Sequence, residues 1–312
     1  MMDSAVTFRL FPWRFHFAAT QPVQFPPIQA ANTFRGALGQ ILREQACSTS
    51  CPGPRACPVR NTCAYAQIFE PQPGVPGPSG LTNPPRPFVL RASHLDGRRL
   101  SVGDPFYLDL HMFDIRRPAR KEFVAAFSEI ARRGFGYGRQ TATLQSICQL
   151  DAAGCETAPA EAPLELSLIP VRQHCGRVAV HFVTPTELKV DGTVADRPEF
   201  SVLFARLRDR ISAIGALYGD KPLSIDFQAM GQAAADVHMT GCNLRHIAAE
   251  RRSTRTGQVH AIGGFIGTAE YQGELANFVP YLRAGWWTGV GRQTVWGKGA
   301  IRIDLPEDSP AI

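Results

Sequence analysis

Three arginines, a histidine and three glycines stand close together near the C-terminus. They are Arg251, Arg252, Arg255, His260, Gly263, Gly264 and Gly267 of the stretch RRSTRTGQVHAIGGFIG. Guanidinium groups give charge-assisted hydrogen bonds to phosphate oxygens, and glycine-loop backbone N–H groups can cradle the same anion. An imidazole beside them can take or give a proton near neutral pH. The combination points to chemistry on, or binding of, a phosphodiester. It is not a nucleotide P-loop, because G-x-x-x-x-G-K-[ST] is absent from this stretch, so ATP binding has no support.

A second glycine–arginine pattern occurs twice. Gly136-Tyr137-Gly138-Arg139-Gln140-Thr141 returns as Gly289-Val290-Gly291-Arg292-Gln293-Thr294, with Arg139 and Arg292 153 positions apart. Each copy follows an amphipathic, helix-like stretch and precedes a strand-like one. This predicts one small fold, duplicated, with the same turn between its last helix and last strand.

His16 and His246 are further candidates for proton transfer, the second just ahead of the arginine cluster. No Ser-His-Asp or Cys-His order stands out, and no run of paired carboxylates suggests a metal-dependent nuclease. Cys47, Cys51, Cys57 and Cys63 form C-x3-C-x5-C-x5-C, and four thiolates can satisfy a tetrahedral Zn²⁺. The spacing leaves a structural zinc, an iron–sulfur cluster and free thiols as three readings. Cys148, Cys155, Cys175 and Cys242 are scattered and read as ordinary residues. Phe265, Tyr271, Trp286, Trp287 and Trp296 are candidates to stack on bases.

The elements that must position these residues follow from hydrophobic period. Residues 5–18 alternate in part, with Phe15 and Phe17 on one side of a strand and Arg14 and His16 on the other. A helix over 31–45 carries Phe34, Leu38 and Leu42 on one stripe. The cysteine segment 47–63 and a loop rich in Pro and Gly, 71–87, come next. Strands are predicted at 88–92, 105–113 and 139–150, with a helix at 118–133. Residues 151–163 read as a linker. Beyond it, strands are predicted at 165–172, 177–190, 223–229, 236–262 (broken) and 299–304, and helices at 198–218 and 274–285. Each half thus approximates strand–helix–strands–helix–strand. The expected class is α+β, two tandem ferredoxin-like (RRM-like) domains with a cysteine-rich insertion in the first. The boundaries are 1–150 for the N-terminal domain, 151–163 for the linker and 164–312 for the C-terminal domain.

The 312 residues suit two domains, and the net charge of +6 permits a polyanionic partner. Residues 243–303 hold eight basic residues against three acidic ones, so most of the excess lies there, as a nucleic-acid site requires. The N-terminus lacks the basic start and apolar run of an export signal, and no stretch has the length of a membrane span. A cytoplasmic protein with reduced cysteines is expected.

Four stretches resemble a known family: FRGALG at 34–39, CAYAQIFEP at 63–71, RRGFGYGR at 132–139, and RRSTRTGQVHAIGGFIG continuing to WWTGVGRQTVWGKGAIRI at 286–303. In this order they resemble the CRISPR-associated endoribonucleases of the RAMP superfamily that cut precursor crRNA within its repeats. The resemblance implies tandem ferredoxin-like domains, a helix 31–45 beside the cleavage site, and a glycine-rich C-terminal loop that supports RNA binding. It implies a metal-independent reaction, in which a ribose 2′-OH attacks the adjacent phosphate and leaves a 2′,3′-cyclic phosphate. The implied partners are repeat RNA or crRNA and other subunits of a CRISPR effector.

Many members place a histidine in or just before the first helix. Residues 19–46 contain none. His260 is therefore the first candidate for base or acid and His16 the second, with Arg35 placed to stabilise charge. Arg43, Arg139, Arg251, Arg252, Arg255, Arg292 and Lys298, with Gly263, Gly264 and Gly267, are the expected RNA contacts. Two rival readings are a non-catalytic crRNA-binding subunit of an effector complex and a zinc-stabilised interaction module unrelated to RNA.

Overall fold

The computed structural model describes residues 6–47, 51–53, 56–71, 84–190, 192–219, 221–252 and 257–305. Each half is an antiparallel sheet with helices on one face. In the N-terminal half the order is β1 (Thr7–Ala19), α1 (Ala30–Ala46), α2 (Ala64–Phe69), β2 (Phe88–Arg91), β3 (Pro105–Met112), α3 (Arg120–Arg133), β4 (Ala142–Leu150) and a short β5 (Glu156–Thr157). The sheet runs β2-β3-β1-β4-β5, and a strand from beyond the linker, β6 (Leu164–Ser167), pairs with the start of β1. The C-terminal half continues with β7 (Arg177–Thr186), α4 (Phe200–Tyr218), α5 (Phe227–Ala235), β8 (His238–Ile247), a hairpin of β9 (Glu250–Arg252) and β10 (Val259–Ala261), β11 (Gly264–Gln272), α6 (Val279–Thr288) and β12 (Ile301–Asp304). Its sheet order is β8-β11-β7-β12. Leaving aside the added edge strands, both halves have the strand order second-third-first-fourth of a ferredoxin-like fold, as the duplicated pattern predicts.

Alternation in β1 sets the first core. Trp13, Phe15 and Phe17 are buried on the face that receives Phe34 and Leu38 of α1 and Phe123 and Phe127 of α3. A second core joins the halves. Phe8 and Leu10 of β1, Val89 of β2 and Phe113 pack with Leu203, Leu207, Leu282 and Trp287 of α4 and α6.

The end of α6 fixes this junction. A helix leaves its last carbonyls without internal partners. Those of Trp286, Trp287 and Thr288 accept from Arg91 Nη2 (3.4 Å), His111 Nδ1 (2.8 Å) and Arg210 Nε (2.9 Å). Two of the donors come from the first sheet and one from α4, so cations of both halves meet the negative end of one helix. Burial pulls Arg91 down to about 9 and Arg210 to about 10.

Two local readings are corrected. The expected strand at 223–229 gives way to α5. Asp226 caps that helix, its carboxylate accepting from the N–H groups of Gln228 (3.0 Å) and Ala229 (2.9 Å), and the alanine-rich run that follows favours helix. The single broken strand expected at 236–262 is β8 followed by a separate hairpin. The loop 72–83 lies outside the described residues. Among the described residues no helix is long and apolar enough to cross a membrane.

Candidate nucleic-acid interface

The first turn of α1 is the meeting point of the two halves. Ile28 ahead of it takes φ 60, and Asp96 Oδ1 accepts from the first helical N–H, of Ala30, at 2.8 Å. Burial holds the Asp96 carboxyl above its ordinary range. Lys298 Nζ donates to the Ile28 carbonyl at 2.9 Å. A Cβ on Gly297 would lie 2.4 Å from that of Ala31, so only glycine lets the C-terminal chain lie against this helix.

The arginine hairpin is held to the same place by two glutamines. Gln29 Nε2 donates to the Glu250 carbonyl on β9 at 3.2 Å, and Gln293 Nε2, from the second glycine motif, to the Ala261 carbonyl on β10 at 2.8 Å. Across the hairpin Arg251 faces His260 and Arg252 faces Val259. The backbone therefore puts the first-choice histidine opposite an arginine, beside the start of α1. Arg255 lies outside the described residues, as do the side chains of Arg251, Arg252 and His260.

The first glycine motif flanks the same turn. A Cβ on Gly136 would be 3.5 Å from Thr33 of α1. Arg139 takes φ 46 and is exposed, its carbonyl held by Gln21 Nε2 at 3.2 Å. Tyr137 projects fully into solvent between two glycines. The sequence reading passed over Tyr137, although an aromatic between glycines next to an arginine is itself the signal of a stacking residue. Gln29 and Gln293, also passed over, act by reaching carbonyls far away in the chain, which no local pattern records.

The two copies of the motif differ in conformation. In the first, Phe135 and Gln140 bridge and Arg139 is left-handed; in the second, Gln293 takes φ 61 and opens a 3₁₀ turn over Thr294–Trp296 before β12. Arg292 is not a free cation, because its guanidinium pairs with Glu187.

Other expected contacts also stand elsewhere. Lys298 is 2% exposed, inside the junction of the halves, and burial pulls its ammonium down to about 8. Arg35 is half-buried between aromatic rings, its guanidinium 4.8 Å from the Phe69 ring and 5.4 Å from the Trp296 ring. Arg43 is exposed at the far end of α1, roughly 20 Å along the axis from Gln29 at the usual helical rise, and lies beside the cysteines. Gly263, Gly264 and Gly267 are placed by sheet packing. A Cβ on them would meet the carbonyl oxygens of Ile247, Thr186 and Asn243 at 2.3, 2.4 and 2.2 Å. Phe265, Tyr271 and Trp287, read as possible base stackers, are core residues.

His16 lies on the wrong side of its strand to reach α1. Phe17 stacks towards Phe34 of α1, with ring centroids 6.3 Å apart, so the pleat turns His16 to the opposite face. There its Nε2 is 3.2 Å from Glu156 Oε1. His246 is exposed on β8.

The four cysteines do come together. Cys47 ends α1 and Cys63 caps α2, and the thiol of Cys47 contacts those of Cys51 and Cys63 while Cys51 also contacts Cys57. Burial and the neighbouring thiols push Cys47 up to about 11, whereas the Gly53 N–H and other donors pull Cys51 down. The contacts run pairwise from Cys63 through Cys47 and Cys51 to Cys57, and soft sulfur donors of this kind could bind a metal such as Zn²⁺.

Comparison with known proteins bears on the fold. A family profile described as an N-terminal domain matches residues 8–162, and the profile of the CRISPR-associated endoribonuclease Cas6 matches residues 180–301. A structure described as a Cas6 product complex is similar at 17% identity and TM-score 0.56, covering 95% of this chain and 99% of that one. Cas6 of Thermus thermophilus is similar at 15% identity and TM-score 0.54, covering 96% and 99%. A chain of the partial Cas6-RT-Cas1–Cas2 complex is similar at 10% identity and TM-score 0.60, covering all of this chain and 48% of that one. At such identities the structural likeness is one of fold. No curated protein sequence matches the chain. Residues 180–301 thus carry the profile of the CRISPR-associated endoribonuclease Cas6, and the tandem ferredoxin-like fold of the chain is the one seen in solved Cas6 structures.

Proposed function

We propose that this protein cuts precursor crRNA within its repeats by a metal-independent reaction, and that the first turn of α1 with the β9–β10 hairpin forms the cleavage site. The observation that carries this reading is the Gln29–Glu250 hydrogen bond, which joins elements 221 residues apart. It seats a hairpin bearing Arg251, Arg252 and His260 against the helix that the family places beside its cleavage site. The 2′-oxygen of the ribose attacks phosphorus, the 5′-oxygen leaves, and a 2′,3′-cyclic phosphate remains. Such a reaction needs a proton acceptor, a proton donor and cations for the charge that builds on phosphorus. His260 serves as acceptor or donor, and Arg251, Arg252 and Arg255 supply the charge. Arg139 and Tyr137 extend the RNA path along the first motif, where the ring stacks on a base.

The test is cleavage of the cognate repeat RNA in EDTA by wild type, His260→Ala, Arg35→Ala and His16→Ala. A single cut with a cyclic phosphate end, lost in His260→Ala and kept in His16→Ala, is the expected result. Loss in His16→Ala alone moves the site to the other face of the sheet. Tight binding without a cut establishes the non-catalytic crRNA-binding subunit, the reading that the lack of a histidine over residues 19–46 favours. Neither binding nor cutting removes RNA from the function.

The cysteine cluster holds a structural zinc in this reading, and the metal takes no part in the reaction. Chelation, or Cys47→Ser with Cys51→Ser, lowers the melting temperature, since metal binding to a folded site adds directly to folding stability. Equal melting temperatures with and without chelator, in protein free of zinc by elemental analysis, eliminate that role. A cytoplasmic location and assembly with other CRISPR effector subunits complete the proposal.

A further inference from the structure

The sheet face turned away from α1 carries a second group of chemical side chains. His16 of β1, Cys148 of β4 and Glu156 of β5 come from three neighbouring strands, and their donor atoms all lie within 4.8 Å of one another. His16 Nε2 is 3.2 Å from Glu156 Oε1 and 3.7 Å from Cys148 Sγ. With metal bonds of about 2.3 Å to sulfur and about 2.0–2.1 Å to nitrogen and oxygen, a tetrahedral zinc needs edges of about 3.3 Å (N···O) and about 3.6 Å (N···S). The cluster already has these edges. The β1–β4 register shifts between His16 and Phe17, where β4 carries the extra residue Gln145, and such bulges re-aim side chains of the bulged strand.

The charges around the trio also suit a dication. Arg14 is held by Asp109 through two hydrogen bonds, of 2.7 and 2.9 Å, and sits over the Tyr107 ring at 3.9 Å. Its Nη1 reaches Glu156 Oε1 at 3.0 Å and so orients that carboxylate, as the outer partners of metal ligands commonly do. Counting a Cys148 thiolate, the carboxylates of Asp109 and Glu156 and the Arg14 cation, the group balances when an ion of charge +2 is added. The side chains of His16 and Glu156 are 29% and 45% exposed, so an ion can enter from solvent.

We infer that His16, Cys148 and Glu156 form a three-ligand site for a zinc-class divalent cation, with its fourth position open to water. The site is separate from the cysteine cluster of 47–63 and lies across the sheet from the proposed cleavage site. Binding ties the short edge strand β5 to the body of the sheet.

The test compares zinc and cobalt binding by full-length chelator-stripped protein with that of Cys148→Ser, Glu156→Gln and His16→Ala. The quantity read is the difference in equivalents bound, which does not depend on whether the 47–63 cluster also binds. Each variant is expected to bind one equivalent less than wild type. Cys148→Ser should also lose a thiolate-to-cobalt absorption band and part of the zinc-induced rise in melting temperature. Circular dichroism checks the fold, and Glu156→Gln, the same size as the native side chain, carries the test where Cys148→Ser is unfolded. Equal zinc binding by wild type and Cys148→Ser overturns the site. Loss in Cys148→Ser alone, with full binding by the other two, overturns the three-ligand assignment.

Discussion

His111 shows how burial sets a residue's charge state and what that does to stability. It is 1% exposed, its Nδ1–H donates to the Trp287 carbonyl, and burial with the Arg91 cation beside it pulls the imidazole down to about 3. In an unfolded chain the same group titrates near 6.5. The folded form therefore binds fewer protons between these values. The stability this gives is complete above about pH 6.5 and is lost as pH falls towards 3, by ~1.4 kcal/mol per unit. Unfolding free energy measured by denaturant should fall by about 2 kcal/mol more in wild type than in His111→Phe between pH 6.5 and 5. Equal slopes in the two proteins would refute a neutral buried imidazole.

At the scale of the element, two glycines carry opposite expectations. Gly291, in the second motif, has φ 77, and a Cβ there would meet the Glu187 carbonyl oxygen at 2.3 Å. Gly291→Ala should destabilise by about 1–3 kcal/mol from the conformation alone, and by more from the collision. Gly36 sits on the exposed side of α1 with nothing within 4 Å of its missing Cβ. Gly36→Ala should stabilise by roughly 0.5–1 kcal/mol, because alanine loses less backbone freedom in a helix. Denaturant midpoints of the two variants against wild type check both signs. The repeat itself tells the same story: GxGRQT is read by its surroundings, as a tight bridge before β4 and as the lead into a 3₁₀ turn before β12.

Over the whole molecule, the two halves are locked rather than tethered. A shared core, the capped end of α6 and the buried Lys298 leave the first turn of α1 as a fixed geometry, with the arginine hairpin and the first glycine motif both held against it. RNA held by the hairpin must show counterion release. Replacing Arg251, Arg252 and Arg255 together by alanine should make the slope of log affinity against log salt shallower by about 2, at ~0.7 per lost phosphate contact on a single strand. A slope unchanged by this triple substitution, in a protein that still binds RNA, would place the RNA elsewhere on the surface.

The sequence by itself determined most of the elements and their order, α5 and the β9–β10 hairpin excepted. Apolar period marks α1, α3 and α4 because each buries a stripe, and alternation in β1 separates Phe15 and Phe17 from Arg14 and His16 because successive side chains of a strand point to opposite faces. Duplication of a four-stranded unit was legible in the repeated motif, and the approach of the four cysteines in their clustering. Period fixes which residues share a face but not what that face meets. Only the tertiary structure decided that α1 covers the phenylalanine side of β1, which sends His16 to Cys148 and Glu156 instead of to α1. It also decided that Lys298 is buried and Arg292 paired, since their partners, Ile28 and Glu187, lie more than 100 residues away. A helix cap overrode the strand reading at Asp226, and long-range carbonyls recruited Gln29 and Gln293 to hold the hairpin. Contacts of that span leave no period in the chain, because they are set by how whole elements pack.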